Sequence, residues 1–146
     1  MQVFRIFTKH IVLEDTALSK AFIESRPVPK IDMQVHVNHE TKPDSTIEAV
    51  LTLQLVAKHE EKVLWRLQLQ EAGLFSLDGF APDMIQPVIN GFCMNMIYPY
   101  ACEAISEIVV RGGFEPVYLA PMNFELLYQE QQKKIHELKD KNKGNN

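Results

Sequence analysis

Two runs of alternating residues, separated by one short polar break, constrain this chain more than anything else in it. Ile47, Ala49, Leu51, Leu53 and Leu55 fall on one face, with Glu48, Val50, Thr52 and Gln54 on the other. After Lys58-His59-Glu60-Glu61 the pattern resumes, Val63, Trp65, Leu67 and Leu69 alternating with Leu64, Arg66, Gln68 and Gln70. A period of two is that of a strand with one buried face. So short a connection joins only neighbours, which predicts an antiparallel hairpin. Upstream, Ile31, Met33, Val35 and Val37 alternate with Asp32, Gln34, His36 and Asn38, and Lys42-Pro43-Asp44-Ser45 marks the intervening turn. With the segment around Val3 to Glu14 this makes about four strands. Between them, Thr16 to Pro29 ends in Arg26-Pro27-Val28-Pro29. Proline cannot sit in a central strand, so this stretch reads as an ordered crossover with little regular structure.

The second half changes period. Ala72-Gly73-Leu74-Phe75 is expected to end the sheet, and Pro82-Asp83 to open a helical stretch toward Met94, made irregular by Pro87. Pro99 suits a first helical position. After it, Ala101, Ile105, Ile108 and Val109 share one face and Glu103, Glu107 and Arg111 another, until Gly112-Gly113 stops the helix. Glu115 to Leu119 is expected to be extended. Asn123 is a good N-cap for a last helix carrying Phe124, Leu127, Tyr128, Ile135 and Leu138 at helical spacing. The expected organisation is one α+β domain over residues 1–138, with a flexible tail over 139–146 that lacks apolar anchors.

Composition then removes whole classes of function. A formal charge of −4 leaves no electrostatic footprint for nucleic acid. The start of the chain alternates apolar and polar residues and contains no continuous apolar span, so neither an export signal nor stable membrane insertion is expected, and the protein reads as cytoplasmic. Cys93 and Cys102 are then expected as free, buried thiols. His36 and His39, three apart in a strand, point to opposite faces and do not chelate one ion. No G-x-S-x-G, P-loop or G-x-G-x-x-G occurs, so no catalytic group, cofactor or metal is expected. What is left is an unusual supply of adaptable apolar side chains, eight Phe and six Met. Such side chains fill irregular cores and also suit surfaces that accept varied apolar partners.

The ordered motifs resemble those of the SecB family of bacterial protein-export chaperones. They are Gly73-Leu74-Phe75-Ser76, then Asn95 with Ile97-Tyr98-Pro99-Tyr100-Ala101, Glu103 and Ile105, then Arg111-Gly112 with Phe114, and Leu119-Ala120-Pro121-Met122-Asn123-Phe124. Arg5-Ile6-Phe7-Thr8-Lys9 agrees more loosely. The resemblance implies a four-stranded antiparallel sheet with helices packed on one side. It implies a homotetramer, a dimer of dimers, that holds unfolded preproteins in apolar surface grooves without ATP or another cofactor and passes them to the export ATPase SecA. Carried over by motif position, Ile31, Met33, Trp65 and Tyr128 line the groove, and Tyr100, Ala101, Ile105 and Ile108 are the residues expected at the subunit contact. The SecA-docking face keeps Glu14 but has His10, Arg66 and Gln68 where acidic or apolar residues are typical, so weakened or rearranged docking is expected. Cys102 stands where the family commonly has arginine and Ala72 replaces a usual glycine, while the tail carries Lys133, Lys134, Lys139, Lys141 and Lys143. The weakened acidic face leaves an alternative, a SecB-like chaperone dedicated to a single partner such as an antitoxin.

Overall fold

The alternating runs become one antiparallel sheet of order β1-β4-β3-β2, built from β1 (Gln2–Asp15), β2 (Lys30–Thr41), β3 (Ile47–His59) and β4 (Lys62–Ser76). The computed structural model describes residues 1–144; Asn145 and Asn146, the end of the expected tail, lie outside the described residues. The predicted hairpin is β3–β4, closed by Glu60 and Glu61 between the paired His59 and Lys62, with Leu55 opposite Leu67 and Leu53 opposite Leu69. Every Leu of that inner face is buried, as are Ala49, Ala57 and Trp65, because helix α3 (Met94–Arg111) packs on it across β4, β1 and β3. The expected α+β architecture, a four-stranded antiparallel sheet with helices, is therefore the observed one.

Strand β4 runs on through Ala72–Phe75 to Ser76, further than the sequence suggested, since its end pairs with both neighbours: Gln2 and Val3 on one side, Ile47 on the other. Gly73 lies inside this extension, beneath α3. A Cβ there would stand 2.5 and 2.7 Å from the Phe75 ring and 3.3 Å from Ile97 Cδ1. The same inner face also buries Glu71, only 2% exposed; its Oε2 accepts a hydrogen bond from the Thr8 hydroxyl at 3.2 Å, while Oε1 has no partner. Burial first, and the charge of Glu103 on α3 second, raise the Glu71 pKa, with the Thr8 hydrogen bond acting the other way. A carboxyl whose folded pKa lies above its unfolded value opposes folding when ionised, so this cost appears as pH rises from the unfolded pKa through the folded one. Glu71→Gln is expected to stabilise the fold by about 1–3 kcal/mol near neutral pH, with the gain shrinking toward acid. Denaturation series at two pH values check this; a gain that grows toward acid would contradict it.

The helical half departs from expectation at its start. Pro99 is not a first helical residue: α2 (Pro82–Pro87), a π-helical segment (Val88–Cys93) and α3 follow without a break, and Pro99 sits six residues into α3. The missing amide deprives the Asn95 carbonyl of its partner one turn back. Asn95 and Pro99 are both exposed, so that carbonyl lies on the solvent side. The expected irregularity after Pro87 is the π segment. At the other end, Gly113 takes φ 87°, a left-handed conformation that favours glycine, and the Phe114 amide donates back to the Val109 carbonyl. Glu115–Leu119 finds no strand to pair with, and only Phe114, Val117 and Leu119 turn inward. Asn123 caps α4 (Phe124–Gly144) through a 3.0 Å bond from the Leu126 amide to its Oδ1. Residues 139–144 are the last turns of that helix. No helix among the described residues is long and apolar enough to cross a membrane.

Candidate functional site

A connection between the two edges of a sheet has to pass over its end. Because β1 and β2 lie on opposite edges with β4 and β3 between them, the crossover after β1 spans about 14 Å across the strand ends. Its middle forms α1 (Lys20–Glu24), a short helix not foreseen in the sequence, capped by Ser19, whose hydroxyl accepts from the Phe22 amide. Ala17 and Arg26, in left-handed conformations at φ 51° and 49°, bracket it. The crossover is tied to the β3–β4 turn at several points. The Thr16 hydroxyl lies 2.9 and 2.8 Å from the Val63 and Leu64 carbonyls, and His59 Nδ1 is 3.1 Å from the Val28 carbonyl. The Phe22 ring stands edge-on to His59 and under the Lys62 ammonium.

Between this strap, the start of β4 and the C-terminal end of α3 lies a cleft of about 590 Å³. Trp65 and Leu64 line it from the sheet, Phe114 from beyond the helix stop, and Leu18, Ile23, Pro27, Val28 and Pro29 from the crossover. Asp15, Arg26 and Glu115 supply its charged groups. Trp65 is only 1% exposed and packs its ring 6.4 Å from that of Phe114, whereas Val28 is 80% exposed. The volume falls in the range of ligand pockets. An apolar lining bordered by charges of both signs suits capture of apolar side chains, with little in it to demand one sequence.

Of the four groove residues expected from the sequence, the cleft contains Trp65. Ile31 belongs to the same cross-strand row, paired with Ala57, which itself pairs with Trp65. Met33 lies in the next row on that face, opposite Leu55, and both β2 residues are half-buried. Tyr128 is on α4, half-buried, and is not part of the cleft lining. The crossover residues and Phe114 were missed. The crossover's only signal was a segment ending in Pro27 and Pro29 that carries Leu18, Phe22, Ile23 and Val28 with no strand to absorb them, and Phe114 stood only in the motif after Arg111-Gly112. A second connection flanks α3, held at one end by Phe114 on Trp65 and at the other by the Tyr98 hydroxyl, which donates to the Ala120 carbonyl at 2.7 Å.

The outer face of the sheet gathers the four residues expected to dock SecA. Register places Glu14 opposite Arg66 and Val12 opposite Gln68, with His10 opposite Gln70, and Glu14, His10, Arg66 and Gln68 are all exposed. Lys9 and the nearly buried Glu48 form a 2.7 Å ion pair. The subunit-contact residues need correction. Ala101 and Ile105 are fully buried against the chain's own sheet, because the apolar stripe of α3 is used up there, and they cannot reach another subunit. Tyr100 is exposed, and Ile108 is half-buried at the edge of the core. The exposed Glu107–Arg111 pair stands at 3.9 Å, worth about 0.3 kcal/mol.

Reactive groups are few. Cys93 is buried, which pushes its thiol up to about 11; Cys102 is free too but only half-buried, and burial raises its pKa as well. Both thiols are protonated at neutral pH and therefore weak nucleophiles. His36 faces out and His39 in, with Gln86 Nε2 at 3.3 Å from His39 Nε2. Among the described residues, no three His, Cys, Asp or Glu side chains are grouped so as to hold one metal ion.

A family model described as preprotein translocase subunit SecB matches residues 1–135. The protein-export protein SecB of Chromobacterium violaceum is 36% identical over 127 residues, covering 87% of this chain and 84% of that protein. That of Azoarcus sp. strain BH72 is 36% identical over 129 residues, covering 88% and 85%. Among solved structures, a SecB-like chaperone of Mycobacterium tuberculosis in complex with a peptide from the HigA1 antitoxin superposes with a TM-score of 0.69 at 13% identity, covering 84% of this chain and 90% of that one. At that identity the likeness is one of fold.

Proposed function

Since this chain belongs to the SecB family, we propose that it works as a Sec-pathway chaperone that holds unfolded preproteins by their apolar segments in the cleft over Trp65. The observation that carries the reading is the pairing of that cleft with a solvent-facing apolar rim, in which Val28 is 80% exposed. Burying apolar surface yields about 25 cal/mol per Å², without a nucleotide or any directional chemistry. Adaptable, loop-borne apolar walls accept varied sequences. A partner that binds only the unfolded client opposes the client's folding by mass action. A mechanism in which affinity alone does the work needs neither ATP nor catalysis, and cytoplasmic location is proposed with it.

Val28→Asp separates binding from folding. Its stability is expected to stay within about 0.5 kcal/mol of the parent, while affinity for an unfolded precursor falls about tenfold. Trp65, the single tryptophan, reports the site directly: its emission is expected to shift on addition of the precursor. Unchanged affinity and unchanged emission, with aggregation still suppressed, would move the binding site elsewhere. Protection of several unrelated precursors supports the export role, and protection of one protein alone supports a dedicated chaperone.

Assembly as a homotetramer, a dimer of dimers, is proposed with Tyr100 and Ile108 as the residues of α3 left for subunit contact, and light scattering of the intact protein measures it. Delivery to SecA is proposed through the outer sheet face around Glu14. With His10, Arg66 and Gln68 beside it, that face mixes charge, so SecA affinity is expected to be modest and to change little with salt. A tight association that collapses on raising the salt would count against this.

A further inference from the structure

Beyond Tyr128, helix α4 leaves the domain: every side chain from Gln129 to Gly144 is exposed, over about 24 Å at 1.5 Å per residue. Ile135 and Leu138, 47% and 61% exposed, continue the line along which Phe124, Leu127 and Tyr128 pack against the chain. At 3.6 residues per turn, Lys139 borders that line on one side and Lys134 and Lys141 on the other, with Lys143 further round beyond Lys139, and the polar Gln131 and Asn142 lie on the line itself. Glu137 and Asp140 fall on the far side of the helix with Lys133, and Glu130 lies beside Lys141. Apolar residues between two rows of lysines, with two of the three carboxylates turned away, is the arrangement of a helix that lies in the plane of an anionic surface.

We propose that the free half of α4 is a reversible anchor for anionic lipid bilayers, with Ile135 and Leu138 turned toward the acyl chains and the four flanking lysines on the phosphates. A second copy of the helix is a poor occupant, because pairing along this line would set lysines against lysines. Two apolar side chains alone hold a bilayer weakly, so charge supplies most of the binding and makes it sensitive to salt. The chain's overall charge of −4 does not prevent this, since Lys139, Lys141 and Lys143 stand about 16–22 Å along the helix past Tyr128, well beyond a screening length of about 8 Å, and Lys134 about 9 Å past it. Such an anchor would concentrate the protein where export takes place, although the lysine pattern stands independently of the chaperone reading.

Flotation of the full chain with vesicles tests the proposal. At low salt the protein is expected to float with vesicles of equal parts phosphatidylglycerol and phosphatidylcholine, and to stay behind with phosphatidylcholine alone. Each lysine near such a surface strengthens binding about fivefold, so Lys139→Gln with Lys143→Gln is expected to weaken it about twentyfold. Leu138→Gln is expected to weaken it severalfold, and exchange of the four lysines for arginine to preserve it. Every residue in the free half of α4 is exposed, so all these variants should unfold at the parent's temperature. Failure to float with the anionic vesicles, equal flotation with both kinds, indifference to the glutamine changes, or preference for polyglutamate over the vesicles would each overturn the assignment.

Discussion

Replacing Trp65 with alanine is expected to lower the stability of this protein by about 3–5 kcal/mol, the largest single loss in the sheet. Trp65 is 1% exposed, shares its row with Ala57 and Ile31, and is capped by the Phe114 ring. No neighbour is free to collapse into the space, because β1 and β3 hold Trp65 from both sides, through Asp15 and Ala57, and the Thr16 hydroxyl fixes the crossover on the Val63 and Leu64 carbonyls. The same substitution removes the inner wall of the cleft, so precursor binding should fail in whatever fraction remains folded. Trp65→Phe keeps an aromatic wall and is expected to cost about 1–2 kcal/mol and to retain binding. Urea denaturation with a precursor-aggregation assay measures both. A loss under about 1 kcal/mol for the alanine variant would show that the ring is not the packed centre of that end of the sheet.

Gly73→Ala should be the most damaging way of adding a single methyl group. The new Cβ would fall 2.5 and 2.7 Å from the Phe75 ring, which is itself completely buried, and 3.3 Å from Ile97. To relieve that clash, either the ring leaves its rotamer or α3 lifts from β4, and overpacking of this kind costs about 1–3 kcal/mol. Gly73→Val should exceed that. Shortening the obstacle with Phe75→Leu in the Gly73→Ala background should recover part of the loss, a positive coupling read from the double-mutant cycle. Strictly additive losses would mean that the ring and the glycine do not meet.

How much of this was legible in the sequence depends on the range of the interaction concerned. Strands β2, β3 and β4 could be read because alternation along a strand is a local property, and the hairpin because its connection leaves no alternative partner. Asn123 and Gly113 were readable for the same reason: a cap or a left-handed residue acts within one turn of its own helix. Pro99 was misread because its preference for a helix start is statistical, and here the packing of Cys93, Met94 and Ile97 under the sheet carries helical structure straight past it. For α3 the sequence gives an apolar stripe without saying what covers it, so Ala101 and Ile105 could be assigned to a subunit contact until the sheet was found on top of them. The cleft was the least legible feature. Leu18, Pro27, Val28, Trp65 and Phe114 come from distant segments, and what brings them together is the placement of β1 and β2 on opposite edges.

By itself, then, the sequence determined the class of fold, the two-faced strands, the stop of α3 at Gly112-Gly113, the Asn123 cap of α4, and the family. The tertiary structure alone decided where apolar surface is spent and where it is left over. α3 spends its stripe on its own sheet, the crossover leaves Val28 in solvent beside Trp65, and α4 carries Ile135 and Leu138 out between lysines. The physical reason is that hydrophobic patterning specifies that a face must be covered but not by what. The covering partner is set by strand order and chain path, which depend on contacts between residues far apart in the chain.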